Sequence, residues 1–484
     1  MLFNSYEFIF VFLPLCIIGY FALNKVNYVL GEYLLIIASF YFYAYFNPSY
    51  FYIILFSIVG NYGLTYMMRT WDSIVCRKMF LLSGIVANVG ILFYYKYMGF
   101  FVENINLVFR TEFEIVKLLL PLGISFFTFQ QLSYVIDSYK GTVPQYTFRQ
   151  YALFVTFFPQ LIAGPIVLHN EIVPQFEDKT KKKFNWDNFA IGLMAFSFGM
   201  AKKVIVADTF GNVVNYGFEN VDTLGATNAI LVMLSYTMQI YFDFSGYCDM
   251  ATGIGKMFNI EIPMNFNSPY KAFSVTEFWK RWHMTLTRFL RTYIYFPLGG
   301  NRKGQLRTYI NLFVVFLVSG IWHGANYTFI VWGIMHGIVM IVERIFKNKI
   351  ETIHPALRWI TTFTFVNIAW IVFRADTMTD ALLLLEQIIG FDFVPVSIEL
   401  VEASGCVIIP MLLSIVGEIA LGYETTYLVY LLLIVLVIVL LCKNTNERMV
   451  LFNKSIGNAV LGALLLFFSV MSLSGESTFL YFNF

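Results

Sequence analysis

LFVVFLVSGIWHGANYTFIVWGIMHGIVMIV, residues 312–342, carries a tryptophan and a histidine, Trp322 and His323, inside an otherwise apolar run. Taking an imidazole out of water costs free energy unless a partner or a function offsets it. The stretch therefore raises two questions: what solvent surrounds it, and what the histidine does there. Composition answers the first. Of 484 residues, 58% are hydrophobic and 13% charged, against roughly 45–50% and about 25% in soluble domains, and the mean hydropathy is +0.69. The chain reads as an all-α polytopic membrane protein in contact with lipid. Its net charge of +2, spread over short basic clusters, gives nucleic acid no footing.

A spanning helix needs about 20 apolar residues. Cutting the chain at its polar interruptions leaves candidates near 7–23, 30–46, 50–68, 79–98, 115–135, 188–206, 226–242, 326–342, 355–373, 405–422, 426–442 and 457–474, or roughly ten to twelve crossings. No basic region precedes the first apolar run, so it reads as a retained membrane helix and not as a signal peptide. The basic stretches RTWDSIVCRK, DKTKKKF and ERIFKNK are expected on the cytoplasmic side. FVTFFPQLIAGPIV is apolar but broken by Pro159, Gly164 and Pro165, which suits a re-entrant segment. Between Arg307 and Arg344 the expectation is two short apolar arms joined at SGIWHGAN, with His323 at depth near the inner end of the hairpin. An additional half-helix around 380–398 reconciles the loop charges further on. The whole chain, 1–484, is expected to form one integral-membrane domain.

Residues 239–307 differ in character. Aromatics alternate there with Lys280, Arg281, Arg288, Arg291, Arg302, Lys303 and Arg307, and with the acids Asp243, Asp249 and Glu277. Short amphipathic helices on the cytoplasmic face are expected. Two readings stand: a belt whose arginines reach lipid phosphates, or a vestibule for an anionic substrate. In the second, arginines and the PLGGNRKG turn supply charge and unhindered backbone N–H groups for phosphate. No His, Cys or carboxylate spacing suits a metal, and the five cysteines are expected to be packing residues. Ser245 in FDFSGYCD is not a nucleophile elbow. His336, in an ordinary span, reads as a structural ring; His323 is either that or a base without an adjacent nucleophile. The natural partner of such a base is a hydroxyl arriving from elsewhere, which points to acyl transfer.

Three blocks, FDFSGYCDMATGIGKMFNIEIPMNFNSPY, TEFWKRWHMTLTRFLRTYIYFPLGGNR and IWHGANYTFIVWGIMHG, resemble in order the signatures of membrane-bound O-acyltransferases (MBOAT), in the bacterial AlgI/PatA-like branch of polysaccharide O-acetyltransferases. MLFNSYEFIFVFLPL, PLGISFFTFQQLSYVIDSYKG and FPQLIAGPI resemble that branch as well. The resemblance implies a ring of tilted helices around a thin core with a through-channel, and catalytic blocks within 239–345. The family's invariant histidine falls on His323 and its second on His283. Arg281, Arg288, Arg291, Asn301, Arg302, Trp322 and Asn326 would form the acyl-coenzyme A vestibule, with Asp243 and Asp249 in support. No cofactor or metal is implied. Acetyl-CoA would be the donor substrate, arriving from the cytoplasm, with the protein in the bacterial cytoplasmic membrane. Thr292 stands where the family commonly has Asp, and Cys248 where it often has Ser.

The tail, 476–484 (ESTFLYFNF), reads either as an interfacial aromatic anchor or, by resemblance to the terminal tyrosine motif of this branch, as an acyl relay through Tyr481. The relay would pass acetyl to an extracytoplasmic SGNH-type partner that modifies a cell-surface polysaccharide. D-alanyl transfer of the DltB type is the alternative within the class. A transporter of anionic glycan precursors is the alternative outside it, and the internal repeats expected of one are not seen.

Overall fold

The structure is a computed structural model that describes residues 1–115, 118–405, 423–473 and 479–480, with side chains from 426 in the third stretch. Among them, seven helical runs are long and apolar enough to cross a membrane: Phe8–Val26, Ser49–Thr70, Ile74–Phe109, Trp186–Glu219, Gln305–His323, Tyr327–Ile345 and Pro355–Arg374. Tyr28–Ala44, Thr426–Leu441 and Ile456–Met471 are shorter apolar helices. This is the expected all-α polytopic architecture.

The chain divides into two compact units. The first comprises Met1–Gly199, Tyr247–Met264 and Phe452–Phe484. Within it Phe8–Val26 lies against Tyr28–Ala44, separated by Asn27, whose side chain accepts from the Val29 N–H at 2.9 Å and caps the second helix. A buried amide network joins four of its helices. The Asn61 side chain donates to Gln131 Oε1 at 2.8 Å and to Asn88 Oδ1 at 3.2 Å. Asn88 returns a bond to Asn61 at 2.6 Å, Gln131 donates to Ser57 at 2.9 Å, and Tyr151 donates to Gln131 at 3.0 Å. In hydrocarbon such bonds hold helices together because each amide has no better partner than its neighbour. The FVTFFPQLIAGPIV segment is two helical pieces, Phe148–Thr156 and Phe158–Leu161, and everything from Tyr151 to Val167 is buried.

The second unit comprises Met200–Gly246 and Asn265–Leu451. Gln305–His323 and Tyr327–Ile345 form its main hairpin. Glycines permit their close approach: a Cβ on Gly320 would fall 2.3 Å from the Phe329 carbonyl oxygen, and one on Gly333 2.5 Å from that of Phe316. A Cβ on Gly324 would lie 2.0 Å from the Phe329 ring, so the turn after His323 also demands glycine.

Three expectations are corrected. The arms flanking SGIWHGAN are not short: each is a 19-residue helix, about 28 Å long and close to a full span. The expected span at 115–135 begins only at Ile124, because Gly123 takes φ +70° and packs against the Leu161 carbonyl, ending any earlier helix. The span at 226–242 is part of a 33-residue helix, Gly225–Met257, so the start of the 239–307 block is not an interfacial piece. Every residue from Ser235 to Ala251 is buried, and a helix covered on all sides tolerates polar residues wherever a neighbour satisfies them. The half-helix expected around 380–398 is present as Met378–Ile389 and ends at Gly390. The expected span at 405–422 falls almost wholly outside the described residues.

Candidate active site

WKRWH becomes a helix break. Val275–Arg281 is started by Ser274, whose hydroxyl accepts from the Glu277 N–H at 3.0 Å, and Met284–Leu290 follows two residues after it ends. His283 lies between them with φ +42°, a left-handed conformation uncommon outside glycine. Asn265 holds it there. Its carbonyl accepts from the Met284 N–H at 3.0 Å. Its Oδ1 accepts from the Thr285 N–H at 3.2 Å and the Thr285 hydroxyl at 2.9 Å, and lies 3.1 Å from His283 Nδ1.

A backbone N–H can only donate, so the amide atom facing Thr285 is the oxygen, and His283 Nδ1 must carry the proton. In the neutral ring Nε2 then holds the lone pair. The ring is fully buried, and that burial pushes its pKa down to about 3.

His336 has the opposite tautomer. The Trp279 indole, which can only donate, gives its proton to His336 Nδ1 at 3.1 Å, leaving the proton of the neutral ring on Nε2.

His323 is the last residue of its helix and 3% exposed. Its ring meets those of Trp322, Trp332 and Phe373 with centroids 4.9, 5.1 and 5.1 Å away. Trp322 in turn lies 6.3 Å from His283, and Trp332 lies 4.8 Å from His336. The three imidazoles thus belong to one continuous cluster of rings, with Trp322 between the two family histidines.

A cavity of about 640 Å³ opens in the same unit. Leu312, Val315, Phe316 and Ser319 form one wall. These positions follow one face of the Gln305–His323 helix, and the next positions along it are Trp322 and His323. The cavity therefore ends one turn short of the histidine. Lys280, Arg291, Arg344, Lys347 and Arg358 line its other walls. All three carboxylates there are committed: Glu343 caps the Val275 and Thr276 N–H groups at 2.6 and 2.8 Å, Glu277 pairs with Arg281 at 2.8 Å, and Glu351 lies 3.8 Å from Lys347, against five lining cations. The remaining balance is cationic.

The expected vestibule is only partly gathered. Arg291 lines the cavity and Lys280 joins it. Arg281 turns to Glu277 and the Asn267 carbonyl, and Arg288 is not among the lining residues. Asn301 and Arg302 sit on an exposed turn. Asn326 caps Tyr327–Ile345 and donates to the Asp376 carbonyl at 2.7 Å, a role in the hairpin's geometry. Asp243 is buried against Lys203 at 2.7 Å, and Lys203 also reaches Asp208 at 2.8 Å. Asp249 is buried within the first unit. Tyr481 lies outside the described residues. Sequence reasoning missed Arg344, Lys347 and Arg358 as site residues, having read the first two only as topological charge; Arg344 lies in the last turn of the second helix of the histidine hairpin, and Lys347 and Arg358 come from the two helices that follow.

The fold is that of a polytopic membrane protein with a buried cluster of three imidazoles near a cationic cavity. The profile of the membrane-bound O-acyltransferase family matches residues 143–377. The chain is 40% identical to a peptidoglycan O-acetyltransferase of Helicobacter pylori, over 100% of this chain and 98% of that one. It is 39% identical to the probable alginate O-acetylase AlgI of Pseudomonas aeruginosa, over 81% and 75% of the two chains. A teichoic acid D-alanyltransferase of Bacillus subtilis is 27% identical over 52% of this chain and 68% of its own. The chain belongs to the membrane-bound O-acyltransferase family, in the branch that contains these bacterial O-acetyltransferases, and is a multi-pass membrane O-acyltransferase.

Proposed function

We propose that the protein moves acetyl groups from cytoplasmic acetyl-CoA to an acceptor on the far side of a bacterial cytoplasmic membrane, for esterification of a cell-surface polysaccharide. The observation that carries this reading is the cavity whose wall follows the Gln305–His323 helix to within a turn of His323. Its cations suit the phosphates of coenzyme A, and its apolar wall suits the pantetheine arm. His323 takes the proton of the acceptor hydroxyl, the oxygen attacks the thioester carbonyl, and the C–S bond breaks. The imidazolium then returns the proton to the departing thiolate, yielding coenzyme A and an ester. His283, neutral and fixed by Asn265, sits across Trp322 and positions the ring cluster through which the thioester must pass.

The acceptor in this reading is Tyr481, from which an SGNH-type extracytoplasmic partner takes the acetyl group. Phe479, two residues ahead, is 1% exposed and edge-on to Tyr247, which supports a tail folded inward over one lying in the interface. A relative matched over 98% of its length is a peptidoglycan O-acetyltransferase, which favours acetyl over D-alanyl transfer. Full-length protein with acetyl-labelled coenzyme A is expected to release coenzyme A and carry label on Tyr481. If Tyr481→Phe acetylates polymer normally while His323→Ala does not, the relay is wrong and the acyltransfer stands. Movement of a glycan precursor across vesicles without coenzyme A release would favour a transporter.

A further inference from the structure

The basic stretch DKTKKKF plays no part in the chemistry above, yet it builds a second site in the first unit. Lys179, Lys182 and Lys183 meet Lys25, in the last turn of Leu13–Val26, around a cavity of about 860 Å³. No carboxylate is among its lining residues. Lys182 is 7% exposed and held in place, with Nζ 3.1 Å from Glu32 Oε1. Glu32 also serves Arg149 at 2.7 Å, so one acid answers two cations and the site keeps a positive surplus. Burial lowers the Lys182 pKa more than Glu32 raises it, the behaviour of an ammonium short of negative charge.

The remaining walls are mostly apolar. Ile17, Ile18 and Phe21 face the cavity, and Ile18 is 67% exposed. Phe184 stacks edge-on against Phe21 and Trp186, and Trp186 is 75% exposed. Exposed aromatic rings beside lysines are the mark of the boundary between headgroups and acyl chains. Asn24 adds a polar group at the cavity wall. Its amide packs against Gly31, where an added Cβ would lie 2.2 Å from Oδ1.

We propose that this cavity binds the phosphate of an anionic phospholipid, with the lysines on the headgroup and Ile17, Ile18 and Phe21 along the first acyl carbons. A free phosphate ester would use the lysines equally but has nothing to place on an apolar wall open to hydrocarbon. The proposal is independent of the acyltransfer reading, because none of these residues lines the histidine site.

The test is native mass spectrometry of the full-length protein in detergent, titrated with phosphatidylglycerol, phosphatidylcholine and glycerol phosphate. Lys179→Gln combined with Lys183→Gln removes two exposed cations and leaves the Lys182–Glu32 pair intact. Phosphatidylglycerol is expected to bind well ahead of phosphatidylcholine, and the double variant to weaken it roughly thirty-fold. Ile18→Ser is expected to weaken the lipid and leave glycerol phosphate unchanged. Equal binding of the two lipids, or no effect of the double variant, overturns the site. Glycerol phosphate binding as tightly as the lipid overturns the lipid assignment.

Discussion

Two buried polar regions, one in each unit, are built on opposite plans. In the first unit the amides of Asn61, Asn88 and Gln131 exchange hydrogen bonds with one another, with Ser57 and with Tyr151. In the second, two of the three imidazoles are each set by one neighbour. Asn265 makes His283 Nδ1 a donor, and Trp279 makes His336 Nδ1 an acceptor. Mutual bonding uses up polar groups and leaves stability. One-sided bonding selects a tautomer and leaves a defined nitrogen for chemistry. A buried polar side chain is thus informative by the direction of its bonds as much as by its presence.

The contrast can be broken most sharply at His323. His323→Ala is expected to cut acetyl transfer by about 10²–10⁴-fold, the usual share of a general base, with the thermal midpoint nearly unchanged. A large drop in that midpoint with residual transfer would put His323 on the structural side. Asn61→Ala should do the reverse, costing about 1–3 kcal/mol for the partners left unsatisfied, measured by unfolding in detergent, while turnover per folded molecule stays near wild type. Arg344→Gln with Lys347→Gln should raise the KM for acetyl-CoA roughly fivefold to tenfold with little change in kcat, an effect that shrinks with added salt. Unchanged KM would detach the cavity from the donor.

The smallest effect concerns pH. The folded pKa of His283, about 3, lies below the value of 6.5 expected in the unfolded chain. Between the two the unfolded state binds the extra proton, so the contribution is neutral above pH 6.5 and destabilising as pH falls toward 3. Stability measured from pH 7 to 4 should decline, and His283→Gln should flatten that decline. A pH–rate limb near 6 that vanished in the same variant would show His283 titrating in the folded protein, against its burial.

Much of this was legible in the sequence and some was not, for physical reasons. Runs such as Phe8–Val26 and Pro355–Arg374 declare themselves because lipid on one side requires continuous apolar residues. His323 was legible because its setting is so apolar, and His283 through the family signature. Gly225–Met257 was hidden because protein surrounds its central turns and replaces lipid, so polar residues such as Asp243 can be satisfied by Lys203 from a distant part of the chain. The expectation of short hairpin arms rests on the room between Arg307 and Arg344, whereas the first arm begins at Gln305 and carries Arg307 and Asn311 within it. Asn311, which is buried, donates to the Gly300 carbonyl at 2.8 Å, a bond that composition cannot reveal. The vestibule was misdrawn because a basic block shows where charge lies along the chain and not which way each side chain turns. Arg281 satisfied itself locally, while Arg344 came from the far end of the hairpin's second helix and Lys347 from just beyond it.

The placement of His323 at the final position of Gln305–His323 has an electrostatic consequence. The last carbonyls of a helix have no N–H of their own and concentrate partial negative charge at that end. An imidazole that has just accepted a proton is a cation, and here it would form at the negative pole of a 19-residue dipole, a favourable term of roughly 0.5–2 kcal/mol. In the proposed mechanism the backbone itself would therefore help stabilise the charged intermediate.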